Sequence, residues 1–160
     1  MKIQRIINRF VGRIGYPNAI LGVVAKTPIP QAAAIELNLG ILSFEANLRY
    51  ESPPKGILVT EGLISLLSWE EMEMVIAHEI GHLALHHQPG ATIVPGSSEH
   101  CRREKEADEF AISKLGIKKQ ALARVCRKIV DHLPLELVEQ LPAGALDREL
   151  SARFPEEERE

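Results

Sequence analysis

The amino-acid sequence predicts an α+β domain, and three observations carry that expectation. Short β-rich runs punctuated by Pro and Gly fill residues 20–60, while apolar residues at helical spacing dominate from residue 61 onward. A chain of 160 residues, 45% apolar and 26% charged, has room for one core, so residues 1–160 read as a single domain.

The elements follow in order. "KIQRIINRFVGRI" (2–14) places Ile3, Ile6, Ile7, Phe10, Val11 and Ile14 on one stripe, with Lys2, Arg5, Arg9 and Arg13 outside it. This is the pattern of a helix packed on a core, with a basic membrane-surface helix as the alternative. "LGVVAK" (21–26) reads as a strand ended by "TPIP". "GILSFEANLRY" (40–50) reads as a second strand, and "SPPKG" turns the chain into a third, "ILVT" (57–60). "EGLISLL" resembles a short helix. Ser68 is then placed to cap a longer helix, with Glu71 closing a capping box, and that helix is expected to run to about His87. Residues 88–100 are rich in Gly, Pro and Ser and read as a loop. Helices are expected from Cys101 to Leu115, ended by Gly116, and over 118–133, with one or two short helices after Pro134. Residues 153–160 read as a frayed acidic tail.

Composition excludes several classes. A net charge of -3 provides no basic field for nucleic acid. Two cysteines, Cys101 and Cys126, are too few for a disulfide framework, which points to a reducing cytoplasm. No apolar run approaches the roughly 18 residues of a membrane span. Gln4, Arg5, Asn8 and Arg9 interrupt any signal-peptide core.

The informative stretch is "VIAHEIGHLALHH" (75–87). His78 and His82 stand at i and i+4 on one helix face, the spacing that grips a single ion. Glu79 points about 100° around the helix, where it can reach a water on that ion without binding the metal. Two imidazoles need a third ligand. The pattern HExxHxxGxxH would supply a histidine, but Leu85 and Gln88 occupy its last two fixed positions. A carboxylate from a later helix remains, and "REKEADEF" (103–110) offers Glu104. Asp108, four residues on and on the same face, is placed to accept the N–H of a ligating imidazole. Glu106 points elsewhere and reads as solvated. His86 and His87 read as helix-end residues, Cys126 as core and Cys101 as an ordinary thiol.

"GILVTEGLISLLSWEEMEMVIAHEIGHLALHH", followed by "EKEAD", resembles the gluzincin peptidases that include HtpX and the CAAX-prenyl endopeptidases. The resemblance covers roughly residues 45–112. It implies a zincin-like fold: a small mixed or antiparallel sheet, an HExxH helix and a following helix with a Glu ligand. It also implies one zinc per chain on His78, His82 and Glu104, Glu79 as catalytic base, and residues 45–50 as an edge strand for an extended peptide. The chain departs from that family in being shorter, in having no membrane-spanning helices, and in carrying "HC" at 100–101 where a Ser-Arg pair is common. A weaker similarity, HExxH with a later ExEAN, links it to ImmA/IrrE-type peptidases that act on repressors; here Asp108 stands at the Asn position.

The expected function is zinc-dependent endopeptidase chemistry, in which Glu79 assists attack of a zinc-bound water on a peptide bond. Peptides or unfolded proteins are the expected substrates. The alternative is a latent zinc domain acting as a binding or regulatory module. His132, Tyr50, Arg103 and His100 are the candidates for a further oxyanion donor.

Overall fold

The computed structural model describes residues 1–37, 54–87 and 93–155. Helix α1 (Lys2–Ile14) buries Ile3, Ile6, Ile7 and Phe10, so its apolar stripe packs on the core. Its basic side makes tertiary contacts: Arg9 pairs with Glu73 at 2.7 Å, and Arg13 donates to the Leu115 carbonyl at 2.8 Å. Gly15, in the left-handed region at φ 61°, ends the helix.

The sheet holds β1 (Ile20–Ala25), β2 (Ala32–Glu36) and β3 (Lys55–Thr60) in the order β1-β3-β2. β1 runs parallel to β3 and β2 antiparallel. Ile57 and Val59 of the central strand are fully buried. On the far side of β1 the Gln4 carboxamide acts as a stand-in strand, donating to the Ile20 carbonyl at 2.9 Å and accepting the Gly22 N–H at 2.8 Å. β2 was not anticipated from sequence, because "AAAIE" has little β propensity. The strand expected at 40–50 lies outside the described residues.

The register of β2 matters for the site. Thr60 N–H donates to the Gln31 carbonyl and Leu37 N–H to the Pro54 carbonyl, which marks those as hydrogen-bonded pairs. The antiparallel alternation then turns the N–H groups of Ala32, Ala34 and Glu36 away from β3.

Thr60 caps α2 (Glu61–Leu66) and also accepts the Gln31 N–H at 2.9 Å and donates to the Ile29 carbonyl at 2.7 Å, tying down the approach to β2. α3 (Trp69–Ala84) opens with the expected Ser68–Glu71 capping box. It stops at Ala84, three residues short of expectation, because His86 adopts φ 56° and turns the chain. α4 (Ser98–Leu115) is capped by Ser97, starts three residues early, and ends at left-handed Gly116. α5 (Lys119–Asp131), α6 (Leu135–Glu139) and α7 (Ala145–Arg153) follow.

Residues 153 and 154, expected to belong to a frayed tail, are instead packed on the core. Arg153 and Phe154 are buried, Phe154 against Leu122 and Ala123, because α7 carries them back onto the core. No helix among the described residues is long and apolar enough to cross a membrane.

α3 is the pivot of the core, with Met72, Val75, Ile76, Ala77, Ile80 and Leu83 all buried. Gly81 lets α4 come close: a Cβ there would sit 2.8 Å from the Ala107 carbonyl oxygen and 3.1 Å from its Cα. Ala107 is itself fully buried, so both helices use small residues at the crossing.

Candidate metal centre

The i, i+4 spacing on α3 brings the Nε2 atoms of His78 and His82 to 3.0 Å. α4, held close by the Gly81–Ala107 contact, delivers Glu104 opposite them. Its carboxylate oxygens lie 3.1 Å from His78 Nε2 and 3.2 Å from His82 Nε2. One ligand atom from each of the three residues lies within 4.8 Å of the others.

Outer contacts settle which atoms face inward. His78 Nδ1 is 2.7 Å from Asp108 Oδ1, and an ionised carboxylate only accepts, so Nδ1 carries the proton and neutral His78 presents the Nε2 lone pair. Asp108 is held in turn by Arg153, whose Nε and Nη2 donate to its two oxygens at 2.7 and 2.9 Å. Arg153 Nη1 donates to Glu149 at 2.7 Å and stands 3.4 Å from Glu104. This arginine is a member of the site that sequence reading missed. It lies 45 residues beyond Asp108 in a segment read as tail, and no local pattern announces it.

On the other imidazole, His82 Nδ1 is 2.9 Å from His87 Nδ1, and His87 Nε2 is 2.9 Å from Glu106. Glu106 was expected to be solvated. Its side chain is indeed 37% exposed, and it also accepts from His87 and pairs with Arg102.

Electrostatics follow from this packing. Burial opposes the charged form of His78, but Asp108 and Glu104 outweigh it and hold the imidazole well above its usual value. Burial also opposes ionisation of Glu104, and His78, His82 and Arg153 overrule it, keeping the carboxyl far below its usual range. Asp108 is lowered in the same way by His78 and Arg153 against its burial.

The residues fit a divalent cation. Two imidazole Nε2 atoms and a carboxylate converge, and a proton can bridge only two such groups at a time. A His/His/carboxylate set is one that zinc accepts.

Glu79 stands outside this cluster. Its Oε2 accepts the Ala34 N–H at 2.7 Å, the amide that the β2 register turns away from β3. His78, Glu79 and Glu104 line a cavity of about 420 Å³ whose wall is otherwise largely apolar, including Val75, Leu122, Ile129, Leu133, Leu146 and Leu150.

The candidate oxyanion donors fare differently. His132 Nδ1 donates to the Lys128 carbonyl at 2.7 Å, and the side chain lines a separate surface hollow with Arg124, Arg127, Lys128 and Asp131, so it is not brought to the centre. Arg103 is engaged by Glu99 at 2.8 Å. His100 accepts the Gly96 N–H at Nδ1 and places Nε2 3.8 Å from Glu104. Tyr50 lies outside the described residues.

Comparison with known proteins adds one finding. The model of peptidase family M48 matches residues 2–99, more than half of the chain, including His78, Glu79 and His82. Searches of curated proteins and of solved structures return no match. The chain belongs to peptidase family M48, a family of zinc metallopeptidases.

Proposed function

We propose that this protein is a zinc endopeptidase of the gluzincin type, with a zincin-like fold. His78, His82 and Glu104 hold the metal, Asp108 orients His78, and Glu79 is the general base. The convergence of the three ligand atoms, with the Glu79 carboxylate beside them in one cavity, carries this reading. Zinc bound there supplies Lewis acidity, polarising a peptide carbonyl and lowering the pKa of water.

The chain's own groups do the rest. The Ala34 N–H holds one Glu79 oxygen, and the other takes a proton from the attacking water and returns it to the departing amine. The neighbouring apolar wall accepts a bulky aliphatic or aromatic side chain next to the scissile bond. Substrates are accordingly peptides or unfolded proteins with such a residue. The order HEIGH then EKEAD supports a place near the HtpX and CAAX-prenyl endopeptidase branch, and two free thiols, Cys101 and Cys126, support a cytoplasmic setting.

Purified protein is expected to carry about one zinc per chain. Glu79→Gln is expected to keep that zinc and lose cleavage of a peptide library; undiminished cleavage by the variant removes the mechanism. A second reading, a latent zinc domain, is favoured by Arg153, which stands 3.4 Å from Glu104 and competes with a metal for that carboxylate. Stoichiometric zinc with no cleavage of any library member by the unaltered protein selects it.

A further inference from the structure

His87 has a place that the metalloenzyme reading above does not use. The turn that delivers it is costly: His86 is the non-glycine residue in the left-handed region among the described residues, at φ 56°, a conformation that persists only where surrounding contacts demand it. The turn swings His87 back onto α3, where its N–H donates to the His82 carbonyl at 2.9 Å. Its side chain is mostly buried, lying between His82 and Glu106.

Proton positions along this row follow from the last member. Glu106 is a carboxylate and only accepts, so His87 Nε2 carries a proton toward it across 2.9 Å. Neutral His87 then has a bare Nδ1, which accepts from His82 Nδ1 at 2.9 Å. A His82 ring protonated at Nδ1 has its lone pair on Nε2, the atom that faces His78 Nε2 and Glu104. Arg102 pairs with both Glu106 and Glu99 and anchors the far end.

We propose that His87, backed by Glu106, is a positioning residue that fixes His82 in its Nδ1–H tautomer and aims its Nε2 lone pair at the metal position. This inference rests on the metal-site reading. His87 does for His82 what Asp108 does for His78, through an imidazole and a distant carboxylate in place of a direct one. Direct packing of a carboxylate against His82 Nδ1 is replaced by a relay one residue longer.

The experiment has two arms. Long-range proton–nitrogen NMR of the metal-free protein reads the His82 tautomer, and competition with a chelating indicator reads the affinity for zinc. The expected result is Nδ1–H at His82 in the unaltered protein. His87→Ala is expected to lose that preference and weaken zinc binding by about 10- to 100-fold. His87→Asn, whose side-chain oxygen can take the place of Nδ1, is expected to restore most of both; Glu106→Ala, which leaves the His82 contact in place, gives an intermediate loss. Far-UV circular dichroism verifies that each variant folds. Nε2–H at His82 in the unaltered protein overturns the proposal, as do unchanged tautomer and affinity in folded His87→Ala and Glu106→Ala. Failure of the unaltered protein to bind zinc sinks the metalloenzyme reading instead, and the tautomer arm then decides the role of His87.

Discussion

Replacing Arg153 with leucine tests whether the carboxyl end of the chain is part of the metal centre's frame. Arg153 donates to both oxygens of Asp108 at 2.7 and 2.9 Å, and the two side chains are only 7% and 3% exposed. Leucine leaves the Asp108 carboxylate buried with only the His78 N–H facing it. Removing one partner of a buried pair costs about 3–5 kcal/mol, part of which the added apolar surface offsets, so about 3 kcal/mol is expected here. That is a large share of the roughly 5–15 kcal/mol by which a domain is stable. For a chain of this length it corresponds to a fall in Tm of about 6–12 °C. Urea unfolding of the metal-free protein, followed by far-UV circular dichroism, measures it directly. Arg153→Lys keeps the charge and loses the fork, and an intermediate loss is expected. Adding Asp108→Asn to Arg153→Leu removes the stranded charge, so the double variant is expected to be more stable than Arg153→Leu alone. A loss below about 1 kcal/mol, or a double variant less stable than the single, refutes the argument.

Three further outcomes follow from the same geometry. Gly81→Ala is expected to destabilise by about 1–3 kcal/mol and to weaken zinc binding, because its Cβ would press on Ala107 and push Glu104 away; were the glycine incidental, alanine would stabilise the helix by about 1 kcal/mol, so the sign of the change in unfolding free energy decides. Leu133→Trp narrows the apolar cavity and is expected to move cleavage preference from bulky to small side chains, by about 10-fold or more in the ratio of kcat/KM values; an unchanged preference in a peptide library removes the cavity from specificity. In the metal-free protein, Glu104 and Asp108 are lowered from 4.5 and 3.8, so their contribution is present above those values and lost as pH falls through the depressed ones. His78 is raised from 6.5, so its contribution is present below that value and lost as pH rises through the raised one. Urea midpoints from pH 4 to 9 are therefore expected to decline toward the alkaline end, and a rise there contradicts the assignment.

What could be read from sequence here divides by the distance over which residues cooperate. His78, Glu79 and His82 share one helix, and Glu104 and Asp108 another, so spacing alone places each pair on a face. The capping box at Ser68 and the glycine stop at 116 are equally local. "LALHH" continues the helical periodicity to His87, and nothing local marks His86 for φ 56°. That overreach hid the His87–Glu106 row. β2 was missed because alanines signal helix, whereas here pairing with β3 decides. Arg153 was lost for the plainest reason, since a partner 45 residues away leaves no periodic trace.

The two imidazoles therefore reach the same orientation by different routes. An i, i+4 pair points both Nε2 atoms inward but leaves each ring free to present either nitrogen, so each needs its own outer acceptor. For His78 that acceptor comes from α4, and α7 holds it from behind. For His82 it comes from the turn that ends α3, and α4 holds it through Glu106. The family match ends at residue 99, so Glu104, Asp108, Glu106 and Arg153 all lie beyond it. On the function proposed above, the matched part supplies the histidines and the base, and the unmatched part supplies the third ligand and the acidic groups that orient both rings. Separating the two halves of the chain should for that reason abolish tight zinc binding even with HEIGH intact, whereas retention of unaltered affinity by residues 1–99 alone would show that the later helices are not needed.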